Sequence, residues 1–366
     1  MCIHDNTLSL SEPTVEEVIS IVSALFQIKG ISQSLGVLQI EIESEEFKQR
    51  FSNLAKQIES KNLVARLEKN GDRIFVIITR FQSPKLRRTW IPRVLFAATI
   101  LMVMIDGYYH TVTTNSITYI GEPFQIAVLF TVSLIGILGI HELGHMIASK
   151  MHRIKISWPY FIPGIPVYGF PTFGALIMSR SFMINRDILF DVGISGPIAG
   201  LIIAVIVSVY GAYLSPLIPS VQAEALSHSG LVELHSSILM DSTILLVGKH
   251  VVGKELIMSP VLYAAWFGFL ITFLNLLPAW QLDGGHIARA TFGRKLHRIT
   301  TYASIGVLAA VGYYIMALIV LMFSMRSPDV KPLDDISPLS NKRKKMFVLV
   351  MILAFLCAPL PFSILS

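Results

Sequence analysis

The spacing of apolar residues changes character once along the chain. Up to about Ser83 it is that of a small folded domain; beyond it, apolar positions merge into long runs. In the first part, Ser11 to Phe26 has a helical period, and Gly36 to Ile42 alternates as a half-buried strand does. Ser44 to Ile58 reads as a charged amphipathic helix. Leu63 to Leu67 and Arg73 to Thr79 flank Asn70-Gly71, a hairpin signal. The order helix, strand, helix, strand, strand predicts a small α+β domain over 1–84. No metal-binding or catalytic constellation stands out within it.

Residues 85–366 hold six apolar segments: about Ile91 to Tyr109, Phe124 to Ser149, Phe190 to Leu214, Pro260 to Leu282, Thr300 to Phe323 and Met346 to Ile364. A helix needs about 20 apolar residues to cross a bilayer, so each is a candidate span. Trp158 to Met178 is apolar too, but Pro159, Pro163, Pro166 and Pro171 break it. It is expected to be a re-entrant loop, with Phe173 to Ser179 as a short strand. Gly196, Gly200 and Ala204 recur every four residues and predict a small-residue packing face. The expected fold class is therefore an all-α polytopic membrane domain. It has six predicted transmembrane helices and a re-entrant β-containing loop, behind a small N-terminal α+β soluble domain.

Composition agrees: 53% of the 366 residues are hydrophobic and 15% charged. The net charge of +6 could point to nucleic acid, but the basic residues cluster beside the apolar runs. That placement suits membrane orientation, and no nucleic-acid partner is expected. The collar Lys85-Leu86-Arg87-Arg88 and Arg93 precedes the first segment, whereas the connection after it, up to Pro123, has no Lys or Arg. The N-terminal domain is thus expected in the cytoplasm. Lys150, Arg153 and Lys155 after the second segment, and Arg289, Arg294, Lys295 and Arg298 after the fourth, fit the same orientation. One stretch does not. With six crossings, Arg326, Lys331, Lys342, Arg343, Lys344 and Lys345 would lie outside. The acidic start (Glu12, Glu16, Glu17) does not read as a signal peptide, so insertion is expected at the first internal apolar segment. Cys2 and Cys357 imply no disulfide framework.

Within the second segment stands His141-Glu142-Leu143-Gly144-His145. Histidines four apart share a helix face, so both imidazoles can reach one metal ion. Glu142 beside them can accept a proton from water. Ionisable groups this close together are expensive in hydrocarbon unless they face a metal or a polar cavity. The bland alternative is a buried helix with two internally hydrogen-bonded histidines. A catalytic zinc site needs a third protein ligand, and the best candidate is Asp283, at the end of the fourth segment. Pro278 is expected to disrupt the helix there, and Gly284-Gly285 to let the chain turn tightly behind the aspartate. His286 is a rival ligand, expected in a supporting role. Asp106 and His110 are expected at the membrane interface.

Together, His141-Glu142-Leu143-Gly144-His145 and Asn275-Leu276-Leu277-Pro278-Ala279-Trp280-Gln281-Leu282-Asp283-Gly284-Gly285 resemble the site-2 protease family of intramembrane zinc metalloproteases. Phe173-Gly174-Ala175-Leu176-Ile177 and Asp191-Val192-Gly193-Ile194-Ser195-Gly196-Pro197 are similar as well. The spacing is like that of the archaeal, cyanobacterial and chloroplast branch. The resemblance implies one Zn2+ held by His141, His145 and Asp283, Glu142 as general base, and Asn275 beside the scissile carbonyl or its oxyanion. It also implies single-span membrane-protein substrates cut within the lipid bilayer. The sequence does not fix the host, so a cell membrane is the default location and a plastid membrane the exception. Two rivals remain: a transporter would spread polar residues along several helices, and a non-cleaving helix-binding module would carry a broken motif.

Overall fold

The computed structural model describes residues 13–34, 37–43, 47–81, 90–166, 170–177, 181–228, 234–326 and 331–359. The expected helix starts at Ser11 and Ser44, the strand start at Gly36, the collar Lys85 to Arg88, the strand end at Ser179 and the span end at Ile364 lie outside the described residues. The described chain is mostly helical and divides into two compact units.

The first unit comprises residues Met1–Lys85 together with Phe182–Arg186 and Lys331–Pro338. Its elements are α1 (Val15–Ser23), β1 (Gln27–Ser34), β2 (Val37–Glu43), α2 (Lys48–Glu59), β3 (Leu63–Asn70) and β4 (Arg73–Arg80). Thr14 caps α1 by accepting from the Glu17 amide at 3.2 Å. The strands form one antiparallel sheet in the order β1-β2-β4-β3. Phe51, Leu54 and Ile58 on one face of α2, and Ile40, Leu67 and Val76 of the sheet, are among its buried apolar residues. The hairpin turns one residue later than the Asn-Gly signal suggests: Asn70 pairs with Arg73, and Gly71 takes the left-handed φ of 62°. Strand β1 has no counterpart in the sequence reading. It is a half-polar edge strand whose register shifts between Ile28 and Gly30, which hides the alternation. The two later segments bond into this unit. Leu333 donates to the Met183 carbonyl (2.9 Å), Leu67 donates to the Leu333 carbonyl (2.9 Å), and Arg186 pairs with Asp335 at 3.1 Å.

The second unit opens with α3 (Ile91–Ile117) and α4 (Pro123–Met151), packed side by side. An antiparallel hairpin follows, β5 (Tyr160–Ile165) and β6 (Phe170–Leu176), with β5 along α3. The expected strand from Phe173 is thus the second arm of a hairpin that starts earlier. Next come α5 (Arg186–Leu214), β7 (Leu217–Pro219), α6 (Ser220–His228), α7 (Ile238–Leu246) and β8 (Lys254–Leu256). Then α8 (Pro260–Leu276), α9 (Asp283–Ala310, broken by a kink at Gly293 with φ 77°), α10 (Tyr314–Arg326) and α11 (Asn341–Cys357) complete it. Among the described residues, α3, α4 and α5 are long and apolar enough to cross a membrane, while α8 and α10 are apolar but shorter. Leu101, Val132, Ile202 and Ile206 are more than half exposed on the long helices, a face that lipid accepts and water would not.

Helix α8 is the core: Val261, Leu262, Ala264, Ala265 and Phe269 are at most 1% exposed. It packs against α4 and α11. Asp106 is also fully buried, 3.6 Å from His110, whose ring lies 4.5 Å from that of Tyr263 in α8. The carboxylate therefore sits inside the helix packing. Arg289, one of the basic residues that follow the fourth segment, is likewise buried, at 1% exposure.

The apolar stretch 300–323 is not one helix. Gly312 takes φ 93° and closes a turn, with Tyr313 donating to the Leu308 carbonyl at 2.8 Å. Helix α10 then folds back along α9, so that Phe323 stacks on Trp280, which itself donates to Thr301 Oγ1. Glycine at the turn and the paired apolar faces on either side make this a helical hairpin.

Candidate metal centre

Two helix ends build the site. Helix α4 presents His141 and His145 from one face, both on its C-terminal third. Helix α8 stops at Leu276 because Pro278 pushes Leu277 into extended backbone (φ −59°, ψ 133°). The chain then passes through Trp280 in the left-handed region (φ 45°), a strained conformation for a bulky side chain. Two hydrogen bonds and a ring stack hold that loop: the Trp280 amide to Thr301 Oγ1 (3.0 Å), His297 Nε2 to the Trp280 carbonyl (3.0 Å) and Trp280 on Phe323. Asp283 follows as the first residue of α9, where the helix dipole favours a carboxylate. Gly284 and Gly285 do not form the turn expected of them. They lie in the first turn of α9, where any Cβ would collide with the carbonyls of Leu276 and Leu277 or of Ala279 and Trp280. Their need is close backbone approach.

His141 Nε2 and His145 Nε2 stand 3.2 Å apart, and each is 3.3 Å from Asp283 Oδ2. With bonds of about 2.0–2.2 Å, the ligands of a tetrahedral metal ion stand roughly 3.3–3.5 Å apart. The near-equilateral triangle fits such an ion, and the donor set of two imidazoles and a carboxylate suits it chemically. Among the described residues these three form the candidate ligand group, and His286 is not part of it. His145 Nδ1 donates to the Val192 carbonyl at 2.8 Å, which leaves the Nε2 lone pair facing inward. Asn275, near the end of α8, brings Nδ2 to 3.4 Å from His141 Nε2. Glu142 is buried at 8% exposure, within electrostatic range of His141, His145 and Asp283.

The small-residue face of α5 turns out to be part of the site. A Cβ at Gly196 would collide with the His145 ring, and one at Gly200 would come within 3.0 Å of His141 Cβ. Reciprocally, Gly144 lets α4 approach the Ser195 carbonyl. The four-residue spacing announced close packing but not that its partners are the candidate ligands.

Residues 129–320 match the model of peptidase family M50. The chain is 30% identical over 237 residues to the probable zinc metalloprotease EGY2, chloroplastic, of Arabidopsis thaliana, covering 62% of this chain and 41% of that protein. It is 28% identical over 246 residues to the probable zinc metalloprotease EGY1, chloroplastic, of the same plant, covering 64% and 43% respectively. The matched region thus spans well under half the length of these relatives. No solved structure matches the chain. With both motifs converging on one ligand triangle, and the family model covering more than half of its length, the chain belongs to peptidase family M50, the site-2 proteases.

Proposed function

We propose that this protein is an intramembrane zinc metalloendopeptidase that cuts peptide bonds inside the transmembrane segments of single-span membrane proteins. The observation that carries this reading is the triangle of His141, His145 and Asp283, set at the ends of apolar helices with Glu142 alongside. The names of the relatives and the donor set both support zinc as the ion.

Zinc bound there supplies Lewis acidity toward the scissile carbonyl and toward water. The chain's own residues do the rest. Glu142 takes the proton of the attacking water and hands it to the leaving amine. The Asn275 amide donates to the carbonyl oxygen as that oxygen gains charge. His145 stays in one tautomer through its bond to Val192. Strand β6 pairs only with β5 among the described strands. Its other edge can take an unwound substrate segment by strand addition, satisfying backbone groups whatever the side chains are. Unwinding is required because a helical peptide bond is already hydrogen-bonded and shielded.

The proposed location is a cell membrane, with residues 1–84 cytoplasmic and 85–366 forming the membrane protease domain. The hairpin of α9 and α10 bears on the expected six crossings. At 13 residues, α10 is about 20 Å long, short of the roughly 30 Å hydrocarbon core. Whether it crosses or only dips, a hairpin returns the chain to the side it left. Helix α11 then starts on the cytoplasmic side, which puts Lys342, Lys344 and Lys345 where the positive-inside rule wants them. The bridge between Ser237 and Pro359, near the opposite end of α11, supports this direction.

The test is cleavage of a single-span substrate by the full chain in liposomes, with and without a chelator. Chelator-sensitive cleavage that zinc restores supports the reading. Cleavage indifferent to chelation, or none from zinc-loaded protein, rejects it.

A further inference from the structure

Val192, whose carbonyl accepts from both His145 Nδ1 and Ser195 Oγ at 2.8 Å, lies in a turn of α5 that lacks one helical hydrogen bond. Pro197 has no N–H to bond the carbonyl four residues back, and Gly193 and Gly196 flank the same turn. Contacts from outside therefore add to what the helix itself supplies in holding that turn. The preceding residue, Asp191, is held firmly. Arg343 of α11 grips its carboxylate as a fork, Nε to Oδ1 at 2.7 Å and Nη2 to Oδ2 at 2.6 Å. His152, at the end of α4, reaches Asp191 Oδ2 at 3.1 Å. Arg343 also bonds Asp187, one turn earlier, from Nη1 at 3.2 Å, and Ser340 Oγ at 3.0 Å. The Ser340 amide donates to Asp187 Oδ1 at 3.0 Å. Two carboxylates on one face of α5 are thus tied to the start of α11 and to the end of the helix that carries both histidines.

We propose that Arg343 is a positioning residue for the metal centre, acting through Asp191 and the Val192 carbonyl on His145. The inference rests on the metal-site reading above. Arg343 itself touches neither ion nor substrate. Its fork sets the rotation and depth of the α5 turn, so the Val192 carbonyl meets His145 Nδ1 and Nε2 stays aimed at the ligand triangle. The planar fork is essential here: lysine supplies charge but only a single point contact.

The experiment uses the full chain in detergent with metal alone. Zinc affinity is read by chelator competition, and ligand geometry by the visible bands of the Co2+-substituted protein. Arg343→Gln and Asp191→Asn should each weaken zinc affinity about tenfold or more and shift the cobalt bands, as loss of support behind a ligand does. Arg343→Lys should recover part of the affinity. Arg186→Ala breaks the Arg186–Asp335 pair, which does not bond Asp191, His152 or Val192, and should leave affinity and bands unchanged. Native affinity and bands in Arg343→Gln or Arg343→Lys would overturn the proposal. So would equal loss in Arg186→Ala, because the clamp would then be general stabilisation. A wild-type chain that binds no zinc would instead sink the metal-site reading itself.

Discussion

Gly196 faces His145 so closely that a methyl group at position 196 would occupy the space of the imidazole. The candidate metal ligands and the helix beside them are therefore one packing problem. Gly196→Ala should displace the ring or push α5 away, lowering zinc affinity at least tenfold, about the effect of losing a supporting partner. A destabilisation of about 1–3 kcal/mol should accompany it, as for other overpacked sites. Gly136, on the same helix as the histidines, has open space where its Cβ would be. Gly136→Ala should leave zinc affinity intact and add up to about 1 kcal/mol of helix stability. Metal titration and thermal melting of the two variants, side by side, check the contrast.

The proposed ligand and base roles separate in a second pair. Asp283→Ala removes one corner of the triangle and should release zinc together with activity. Glu142→Gln keeps the size and the hydrogen-bonding ends of the side chain but not the basicity. It should retain one zinc per chain and lower cleavage by about 10²–10⁴-fold. Metal analysis beside a cleavage assay distinguishes them; a Glu142→Gln protein that still cuts at the wild-type rate would remove Glu142 from the mechanism.

How much of this was legible in the residues depends on range. His141, His145 and Asp283 stood out because metal ligands must be specific residue types, and because two of them share a helical turn. The long apolar runs gave α3, α4 and α5 for the same reason: 20 or so apolar residues have few other uses. Helix ends were less visible. The expected end of the first segment at Tyr109 lies eight residues short of Ile117, since Thr111 and Thr114 look polar but bond back to the Gly107 and His110 carbonyls. The break at Gly312 was hidden because apolar residues continue across it. Arg343 read as one of a basic cluster, and nothing in its local sequence says that Asp187 and Asp191, some 150 residues earlier, would share it. Local signals name ligands and spans; long-range pairing does not leave a local trace.

Strand addition at β6 makes a backbone prediction. Leu176 is 58% exposed at the end of β6, beyond Gly174 with its φ of 87°. Proline at 176 deletes one N–H from the strand and leaves the ligand triangle alone. Leu176→Pro should therefore raise KM or abolish cleavage while zinc content stays at the wild-type level. Leu176→Ala, which keeps the N–H, should cleave much closer to wild type. Equal turnover in all three proteins would mean that the edge does not bind substrate.

The direction of α11 can be read chemically. Val252 is 97% exposed in the connection between α7 and β8, and Lys344 is exposed at the start of α11. In a background with Cys2 and Cys357 replaced by serine, each can carry a single cysteine for labelling with a membrane-impermeant maleimide. If the α9–α10 hairpin returns the chain to the cytoplasmic side, Val252→Cys reacts in intact cells and Lys344→Cys only after permeabilisation. Six equal crossings would make both sites react from outside. The ion pairs argue for the first pattern on energetic grounds. Arg343 can meet Asp187 and Asp191 only at the end of α5 that also adjoins His152, the residue closing α4. Starting α11 from the opposite face would leave two part-buried carboxylates without their cation, a loss of about 3–5 kcal/mol for a buried pair and less where water still reaches it.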